Sequence, residues 1–473
     1  MSTVRSNDIQ FLVRKYMMMA GDLFLIVISL FLYIKYFYVY DIWPSKTLAE
    51  NPSWVALILA IWLMYSQLFN LYDVLHASKT SVLLRRTALV AFMTGVTYLA
   101  FPFLSPVFPK TRMPVFIFIG QLIVLVSLWH WVFSYIFQQE ILQKRVLVVG
   151  AGWSGTEIVK VIRRKNIYHQ TGYQVVAFID DDEEKYKREI EGVRVVGNSE
   201  ELFAYARRLQ IDEVILAVHT AKNIKGSLYA ALVNCENFGV AAVPVNIVFE
   251  TLTGKLMVKQ HEHGEYLLTY DFFSPKKNGL YLFLNRLLNM LFGLMGMLFT
   301  LVLTPIIVIA NLIFSRGPLF FSQQRVGRDD KPFTIYKFRT MVVNAEKNTG
   351  AVYAEIHDPR ITLPGRIMRR ARIDELPQFW NIFKGEMNLI GPRPERPEFV
   401  KKLVQTIGFY PTRHVVKPGI TGWAQVNYKY GANQDDSLTK LQYDLYYIKN
   451  RSFLLDLKIL RMTIGVMLKL KGN

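Results

Sequence analysis

Cysteine is nearly absent from this chain. Of 473 residues only Cys235 carries a thiol, so no intrachain disulfide can form, and the ordinary reading of the residue is a small buried side chain. Acids are scarce as well: 37 Asp and Glu stand against 56 Lys and Arg, a net charge of +19. Such a surplus calls for an anionic partner: nucleic acid, anionic lipid or a phosphorylated substrate. Charge of either sign is sparse, at 20% of residues against 52% hydrophobic, and the mean hydropathy is +0.20. That balance favours membrane over nucleic acid, and no nucleic-acid partner is expected. Internal repeats and low-complexity stretches are missing. So is a signal peptide, because the first apolar run has no small-residue cleavage site and continues as an anchor. No G-x-S-x-G or kinase motif set occurs.

In place of charge the chain has four long apolar stretches, at about 17–39, 54–72, 87–107 and 114–137. Each approaches or exceeds the ~20 residues that cross a bilayer as a helix. The sequence therefore predicts a four-span α-helical membrane bundle over 1–145. Asp22 and Lys35 fall near the ends of the first stretch, where snorkelling to the interface is expected of both. Basic residues gather on one side: Arg5, Arg14 and Lys15 before the first stretch, Lys79, Arg85 and Arg86 after the second, Lys144 and Arg145 after the fourth. The other two loops hold Lys46, Lys110 and Arg112. The positive-inside rule then places both ends of the bundle in the cytoplasm.

At 146 the pattern changes. VLVVGAGWSGTEIVKVIRR is a buried strand, a glycine turn and a helix, with Gly150, Gly152 and Gly155 in G-x-G-x-x-G spacing. YQVVAFIDDD follows as a second strand with Asp180 at its end, and VRVVG, DEVILAV and VAAVPVN alternate with helical stretches at 199–209 and 225–238. Such alternation indicates a Rossmann-like α/β domain over 146–250. One reading of the turn is a dinucleotide site with Asp180 near the ribose. The other is a fold whose glycines only shape the turn, serving regulation or assembly, since fold alone does not specify function. Residues 251–278 are expected to be a linker. His261, Glu262 and His263 lie in it without an evident third ligand, and no metal site is expected there.

Leu287 to Phe314 carries no charge and is ~42 Å long as a helix, enough to span a bilayer. Yet Lys276, Lys277 and Arg286 precede it and Arg316, Arg325 and Arg328 follow it, so both flanks favour the same side. Pro305 near its middle removes a backbone donor and clashes with the preceding turn, and the hydroxyl of Thr304 can satisfy part of what is freed. A bent, re-entrant helix over 286–314 is expected. The tail from Asp456, DLKILRMTIGVMLKLKG, is a basic amphipathic helix suited to a lipid interface or to ordinary packing.

The densest chemistry lies in ARIDELPQFWNIFKGEMNLIGPRPERPEF, residues 371–399. Asp374 and Glu375 are adjacent; Arg366, Arg369, Arg370 and Arg372 precede them, and Arg393 and Arg396 follow. Pro377 is tolerated only in the first turn of a helix, which places a helix start close to Asp374. Two carboxylates at a helix N-terminus ringed by arginines read as a phosphate-handling site with an acidic centre. The plainer alternative is an N-cap followed by a first-turn acid. KFRTM at 337–341, GPRP at 391–394 and KPGITGWAQVN at 417–427 favour the site.

In this order and spacing the motifs resemble the bacterial sugar transferases of the monotopic phosphoglycosyl transferase type, over roughly 280–473. The arrangement ahead of them resembles the large subgroup that primes exopolysaccharide or capsule synthesis. The resemblance implies transfer of a hexose-1-phosphate from a UDP-sugar to undecaprenyl phosphate, with release of UMP. The catalytic domain, mixed α/β and monotopic, would occupy 279–473 on the cytoplasmic face of the bacterial inner membrane. Also implied are Asp374 and Glu375 as a catalytic dyad whose aspartate takes up the sugar phosphate, a re-entrant helix with a similarly placed proline, and a homodimer. Two acids beside phosphates suit Mg²⁺. Mutually repelling phosphates need fixed positive charge. Arg325, Lys337, Arg339, Arg366, Arg369, Arg393 and Arg413 are the candidates, and Pro392 and Pro394 stiffen the segment carrying Arg393. Around the tight KPGITG loop, Thr421, Trp423 and Gln425 are candidates for uridine or sugar contacts, or for packing.

Two other functions fit parts of the chain. One is a membrane-bound NAD-dependent sugar-nucleotide-modifying enzyme centred on Gly150–Gly155, but the α/β region lacks the Tyr-x-x-x-Lys or similar constellation it needs. The other is a non-catalytic scaffold of a polysaccharide export complex. Release of UMP from a UDP-sugar separates both from the transferase.

Overall fold

The computed structural model describes residues 6–35, 51–72, 80–100, 113–137, 143–166, 172–218, 226–260, 266–268, 279–343, 345, 358–428 and 434–468. His261, Glu262 and His263 lie outside them, with much of the expected linker. The chain divides into two compact units, Met1–Leu252 and Thr253–Asn473.

The first unit opens with four apolar helices, α1 (Ser6–Tyr33), α2 (Pro52–Leu68), α3 (Thr80–Leu99) and α4 (Met113–Phe137). Two of them start well before the apolar runs that announce them, so Arg14, Lys15, Arg85 and Arg86 lie inside helices rather than in flanking segments. Arginine and lysine are good helix formers whose stems can lie along apolar surface, so the first charge does not end a helix. Among the described residues α1, α3, α4 and a later helix, Gly279–Phe314, are long and apolar enough to cross a membrane, while α2 is shorter at 17 residues. Ile26, Leu30, Trp62, Val90, Phe118 and Leu122 fill the core of the bundle. Asp22 corrects the snorkelling expectation. Because α1 begins at Ser6, Asp22 lies about four turns inside the helix and its short side chain cannot reach an end. It is fully buried, 2.8 Å from His130 Nε2, and accepts a 2.8 Å hydrogen bond from the Tyr72 hydroxyl.

Behind the bundle come β1 (Lys144–Val149), β2 (Tyr173–Ile179), β3 (Glu189–Ile190), β4 (Val193–Gly197), β5 (Glu213–Leu216) and β6 (Ala241–Pro244). They form one sheet in the order β3-β4-β2-β1-β5-β6, with parallel pairs except β3–β4. Helices α5 (Trp153–Asn166), α6 (Leu202–Arg208), α7 (Gly226–Asn237) and α8 (Val245–Thr253) follow strands in turn. β1 buries Val146 to Val149 without alternation, as a strand covered on both faces does. Cys235 is buried in this domain's core, as expected.

The second unit carries a short hairpin, β7 (Val258–Gln260) and β8 (Tyr266–Leu268), then α9 (Gly279–Phe314). Residues before the hairpin belong to this unit's packing rather than to a free linker: Leu256 is in its core and bonds through its N–H to the Gln442 carbonyl at 3.0 Å. β9 (Phe320–Val326) and β10 (Pro332–Phe338) form an antiparallel pair, and α10 (Leu363–Arg370), α11 (Phe379–Lys384), β11 (Asn388–Ile390) and α12 (Pro397–Thr406) follow. β12 (Gly419–Thr421) pairs in parallel with β11, and α13 (Trp423–Asn427), α14 (Gln434–Lys449) and α15 (Phe453–Leu468) close the unit.

α9 is a helix of 36 residues that continues through Pro305. The hydroxyls of Thr300 and Thr304 donate back to the carbonyls of Gly296 (2.6 Å) and Thr300 (2.7 Å). One face lies against its own unit over most of its length. Arg286 donates to the carbonyls of Ile382 (3.3 Å) and Phe383 (3.1 Å), and Asn289 accepts from the Leu389 N–H at 2.5 Å. Gly296 has no room for a Cβ because Phe379 occupies that space, and a Cβ on Gly293 would be crowded against Phe383. Ile307 packs with Phe338 and Met368, and Asn311 accepts from Arg339 at 2.8 Å. The other face is bare and apolar, with Leu298, Leu301, Val302, Ile306 and Ile309 exposed.

Candidate active site

The acidic pair sits where α10 turns into α11. Arg372 adopts the left-handed conformation (φ 55°, ψ 23°) and ends α10, and Ile373–Gln378 forms a 3-10 turn with Pro377 inside it before α11 begins. Left-handed backbone at a residue other than glycine is uncommon and costs energy. Here the Arg372 guanidinium is turned onto Glu375 at 3.3 Å. The helix start that Pro377 announces is thus this tight turn, and neither acid caps a helix through its side chain.

The two acids have opposite surroundings. Glu375 is saturated: Oε1 accepts from Lys337 Nζ and from Arg393 Nη2, each at 3.1 Å, and Oε2 accepts from Arg372. Burial alone would raise its carboxyl, but Lys337, Arg393 and Arg372 hold it well below the usual range. Asp374 is 8% exposed, and among the described residues its carboxylate makes no hydrogen bond. Burial raises its carboxyl to about 6, helped by the charge of Glu375 and opposed by Lys337, Arg369 and Arg393. Beside Glu375 a small, open cleft is lined by Arg325, Lys337, Glu375, Gln378 and Arg393.

The scaffold around the cleft is backbone against backbone. Gly391, Gly419 and Gly422 have no room for a Cβ, because the GPRP and KPGITG segments touch there. The Gly419 N–H bonds to the Pro392 carbonyl and the Gly391 N–H to the Thr421 carbonyl, each at 2.9 Å. The glycines let the two loops approach, and the contact fixes Pro392 and hence Arg393.

The candidate cations divide into two groups. Lys337, Arg393 and Arg325 line the cleft, and Arg369 acts on Asp374 through its charge while bonding Thr340 at 2.9 Å. Arg366 is exposed on α10. Arg339 is elsewhere: it binds the carbonyls of Ser315, Pro318 and Met341 and so clasps the end of α9. Arg413 is buried against Asp444 at 2.6 Å and donates to the Arg393 carbonyl at 3.0 Å. It supports the site from behind rather than facing it.

Thr421, Trp423 and Gln425, the candidates for uridine or sugar contacts or for packing, are each bonded within the unit. Trp423 is buried, donates to the Gly254 carbonyl at 2.8 Å and stacks on Tyr446. Thr421 pairs with Thr463 at 2.7 Å, and Gln425 donates to the Ile420 carbonyl at 2.9 Å. Arg372, one of the arginines around the pair, bonds Glu375, and Gln378, not singled out from the sequence, lines the cleft; both are three residues from Glu375, the separation that meets across one turn.

In the α/β region, Gly150 has φ 98° and Gly155 has no room for a Cβ beside the Gly150 carbonyl. Asp180 is already engaged. Its Oδ2 accepts from the Ala151 N–H at 2.6 Å, its Oδ1 accepts from the Asp182 N–H at 2.9 Å, and Lys185 pairs with it. The carboxylate that one reading of the motif sets near a ribose bonds the glycine turn. Gly152 borders open space.

Comparison with known proteins agrees with the second unit's motifs. The model of the bacterial sugar transferase family matches residues 280–470, and that of a CoA-binding domain matches 67–226. An N-acetylgalactosaminephosphotransferase acting from UDP-N-acetylgalactosamine on undecaprenyl phosphate, from Aeromonas hydrophila, is 40% identical over 52% of this chain and 56% of its own length. The UDP-glucose:undecaprenyl-phosphate glucose-1-phosphate transferase of Klebsiella pneumoniae is 30% identical over 68% of this chain and 67% of its own. The uncharacterized sugar transferase EpsL of Bacillus subtilis is 40% identical over 39% of this chain and 90% of its own. With its apolar helices and these relatives, the chain is a membrane protein belonging to the bacterial sugar transferase family.

Proposed function

We propose that the chain transfers a hexose-1-phosphate from a UDP-sugar to undecaprenyl phosphate, releasing UMP, as the priming step of exopolysaccharide or capsule synthesis. The observation that carries this is the division of labour in the acidic pair. Glu375 collects three cations beside a cleft; Asp374 stays buried, without a hydrogen bond among the described residues and unusually basic for a carboxylate. A carboxylate is a competent phosphoryl nucleophile. An Asp374 oxygen attacks the sugar-bearing phosphorus, a P–O bond to it forms, the P–O bond to UMP breaks, and UMP leaves with the electron pair. A phosphate oxygen of the lipid then attacks the same phosphorus and frees Asp374. Arg325, Lys337 and Arg393 stabilise the equatorial oxygens.

The donor set admits Mg²⁺ in one way. Among the described residues no group of three acidic, histidine or cysteine side chains gathers, and both oxygens of Glu375 are already held by cations. Asp374 remains as the single protein ligand, which suits an ion that keeps several waters and binds phosphates. When bound, the ion supplies further neutralisation of the donor diphosphate.

The same reading covers the membrane. α9 re-enters and leaves on the cytoplasmic face, supported by contacts with one unit that run from Arg286 to Asn311 along one face. The α/β sheet is Rossmann-like in strand order, and the internal use of Asp180 speaks against the NAD-dependent alternative. The test is UMP release by the purified full chain in nanodiscs, given undecaprenyl phosphate and a panel of UDP-sugars. UMP formed with at least one sugar, together with a lipid-linked sugar diphosphate, is expected. Absence of UMP with every donor would overturn the transferase reading.

A further inference from the structure

The membrane bundle contains a polar chain that the transfer chemistry does not use. Trp62 Nε1 donates to the Tyr72 hydroxyl at 2.8 Å, and Tyr72 donates to Asp22 Oδ2 at 2.8 Å. Asp22 Oδ1 lies 2.8 Å from His130 Nε2, His130 Nδ1 lies 2.5 Å from Thr87 Oγ1, and the Thr87 hydroxyl donates to the Leu83 carbonyl at 2.9 Å. Asp22, His130 and Thr87 are fully buried. The members come from α1, α2 and the turn after it, α3 and α4, so one chain of bonds crosses all four helices. Packing is tight at the same level: Gly21 has no room for a Cβ against the Trp129 indole.

Tyr72 uses its own proton on Asp22, and a proton is shared in the contact between Asp22 and His130. The titratable groups in the cluster are Asp22, Tyr72 and His130; Arg86, on α3, turns instead to the Asn70 carbonyl at 2.9 Å. In apolar surroundings a polar group without a partner is costly. Sliding α1 or α4 by a turn would strand several of these groups at once, whereas apolar contacts alone tolerate such shifts.

We propose that the Asp22–His130 cluster is a proton-bearing clasp that selects one register of the four membrane helices. It acts as the buried polar residues of helical bundles do when they fix an arrangement at a cost in stability.

The test uses the full chain in nanodiscs, with thermal unfolding and hydrogen–deuterium exchange of α1 and α4 peptides as readouts. Asp22→Leu and His130→Leu each leave a stranded partner. Each should lower the unfolding midpoint by on the order of 10 °C and speed exchange in both helices. The double variant Asp22→Leu/His130→Leu should recover part of that loss. Asp22→Asn should stay near wild type, since its amide can donate to His130 Nε2 while its carbonyl accepts from Tyr72. If a single leucine variant fails to fold, that is the expected direction, and the double and asparagine variants decide. Losses that simply add in the double variant, exchange unchanged in all variants, or Asp22→Asn as damaging as Asp22→Leu would each overturn the clasp.

Discussion

Asp22 and Asp374 are both buried carboxylates, 0% and 8% exposed, and they differ in what surrounds them. Every oxygen of Asp22 is bonded, by Tyr72 and His130. Asp374 is bonded by nothing among the described residues, although three cations stand next door on Glu375. A buried acid whose oxygens are all used holds structure together. One left bare beside a cationic cleft is available for reaction, and the surrounding fold must bear its desolvation. Asp180 is a third case, an acid in a motif that suggests a ligand but whose oxygens serve its own turn.

The contrast breaks most visibly at Asp374. Asp374→Asn should lower UMP release by at least about 10³-fold while leaving the unfolding midpoint unchanged or slightly raised, because no bond is lost and a buried charge is removed. A large drop in stability would mean that Asp374 is structural after all. Glu375→Gln should do both kinds of damage. Activity should fall on the order of 10²-fold, and thermal stability should fall with it as Lys337, Arg372 and Arg393 lose their shared counter-charge.

Smaller, but diagnostic in sign, is the pH dependence. With its carboxyl raised to about 6 in the folded chain against about 3.9 unfolded, Asp374 binds protons better when folded. Its contribution to stability is full below the unfolded value and is lost as pH rises through about 6. Activity should move the opposite way, since only the ionised form attacks: UMP release should rise across the same window. The difference in unfolding midpoint between wild type and Asp374→Asn, followed from pH 4 to 8, isolates this group; a pH-independent difference would contradict it. The smallest effect is expected at Trp423. Trp423→Phe loses the bond to the Gly254 carbonyl but should change kcat/KM by less than about threefold, since rim and packing contacts do not discriminate the transition state. A selective rise in KM for the UDP-sugar would restore Trp423 to the binding site.

How far the sequence carried the reading depended on whether a property is local. The acidic pair, the glycine turn and the α/β alternation are set by neighbours in sequence, and they appear where the motifs place them. Side-chain direction is not local. Arg339 follows Lys337 by two residues in KFRTM, yet Lys337 meets Glu375 while Arg339 clasps the end of α9. Arg413 looks like one more cation until Asp444, 31 residues on, is found against it. The role of Asp22 is hidden for the same reason, as its partner His130 is 108 residues away. Reading the helix limits from the apolar run also placed Asp22 near an end it does not occupy.

The side of the membrane can be checked at β9. Ser322 is exposed there, and Ser322→Cys in a Cys235→Ala background should resist an impermeant thiol reagent applied to intact cells. Labelling from outside would make α9 a span.

The central claim is that Asp374 is bare because it forms a bond to phosphorus. Its most direct test is the intact mass of the protein mixed with UDP-sugar and Mg²⁺ in the absence of lipid. The account predicts an added sugar phosphate, up to one per chain, mapped to the peptide containing Asp374 and chased off by undecaprenyl phosphate. Absence of that adduct under conditions of rapid turnover would contradict it and leave direct attack by the lipid phosphate as the route.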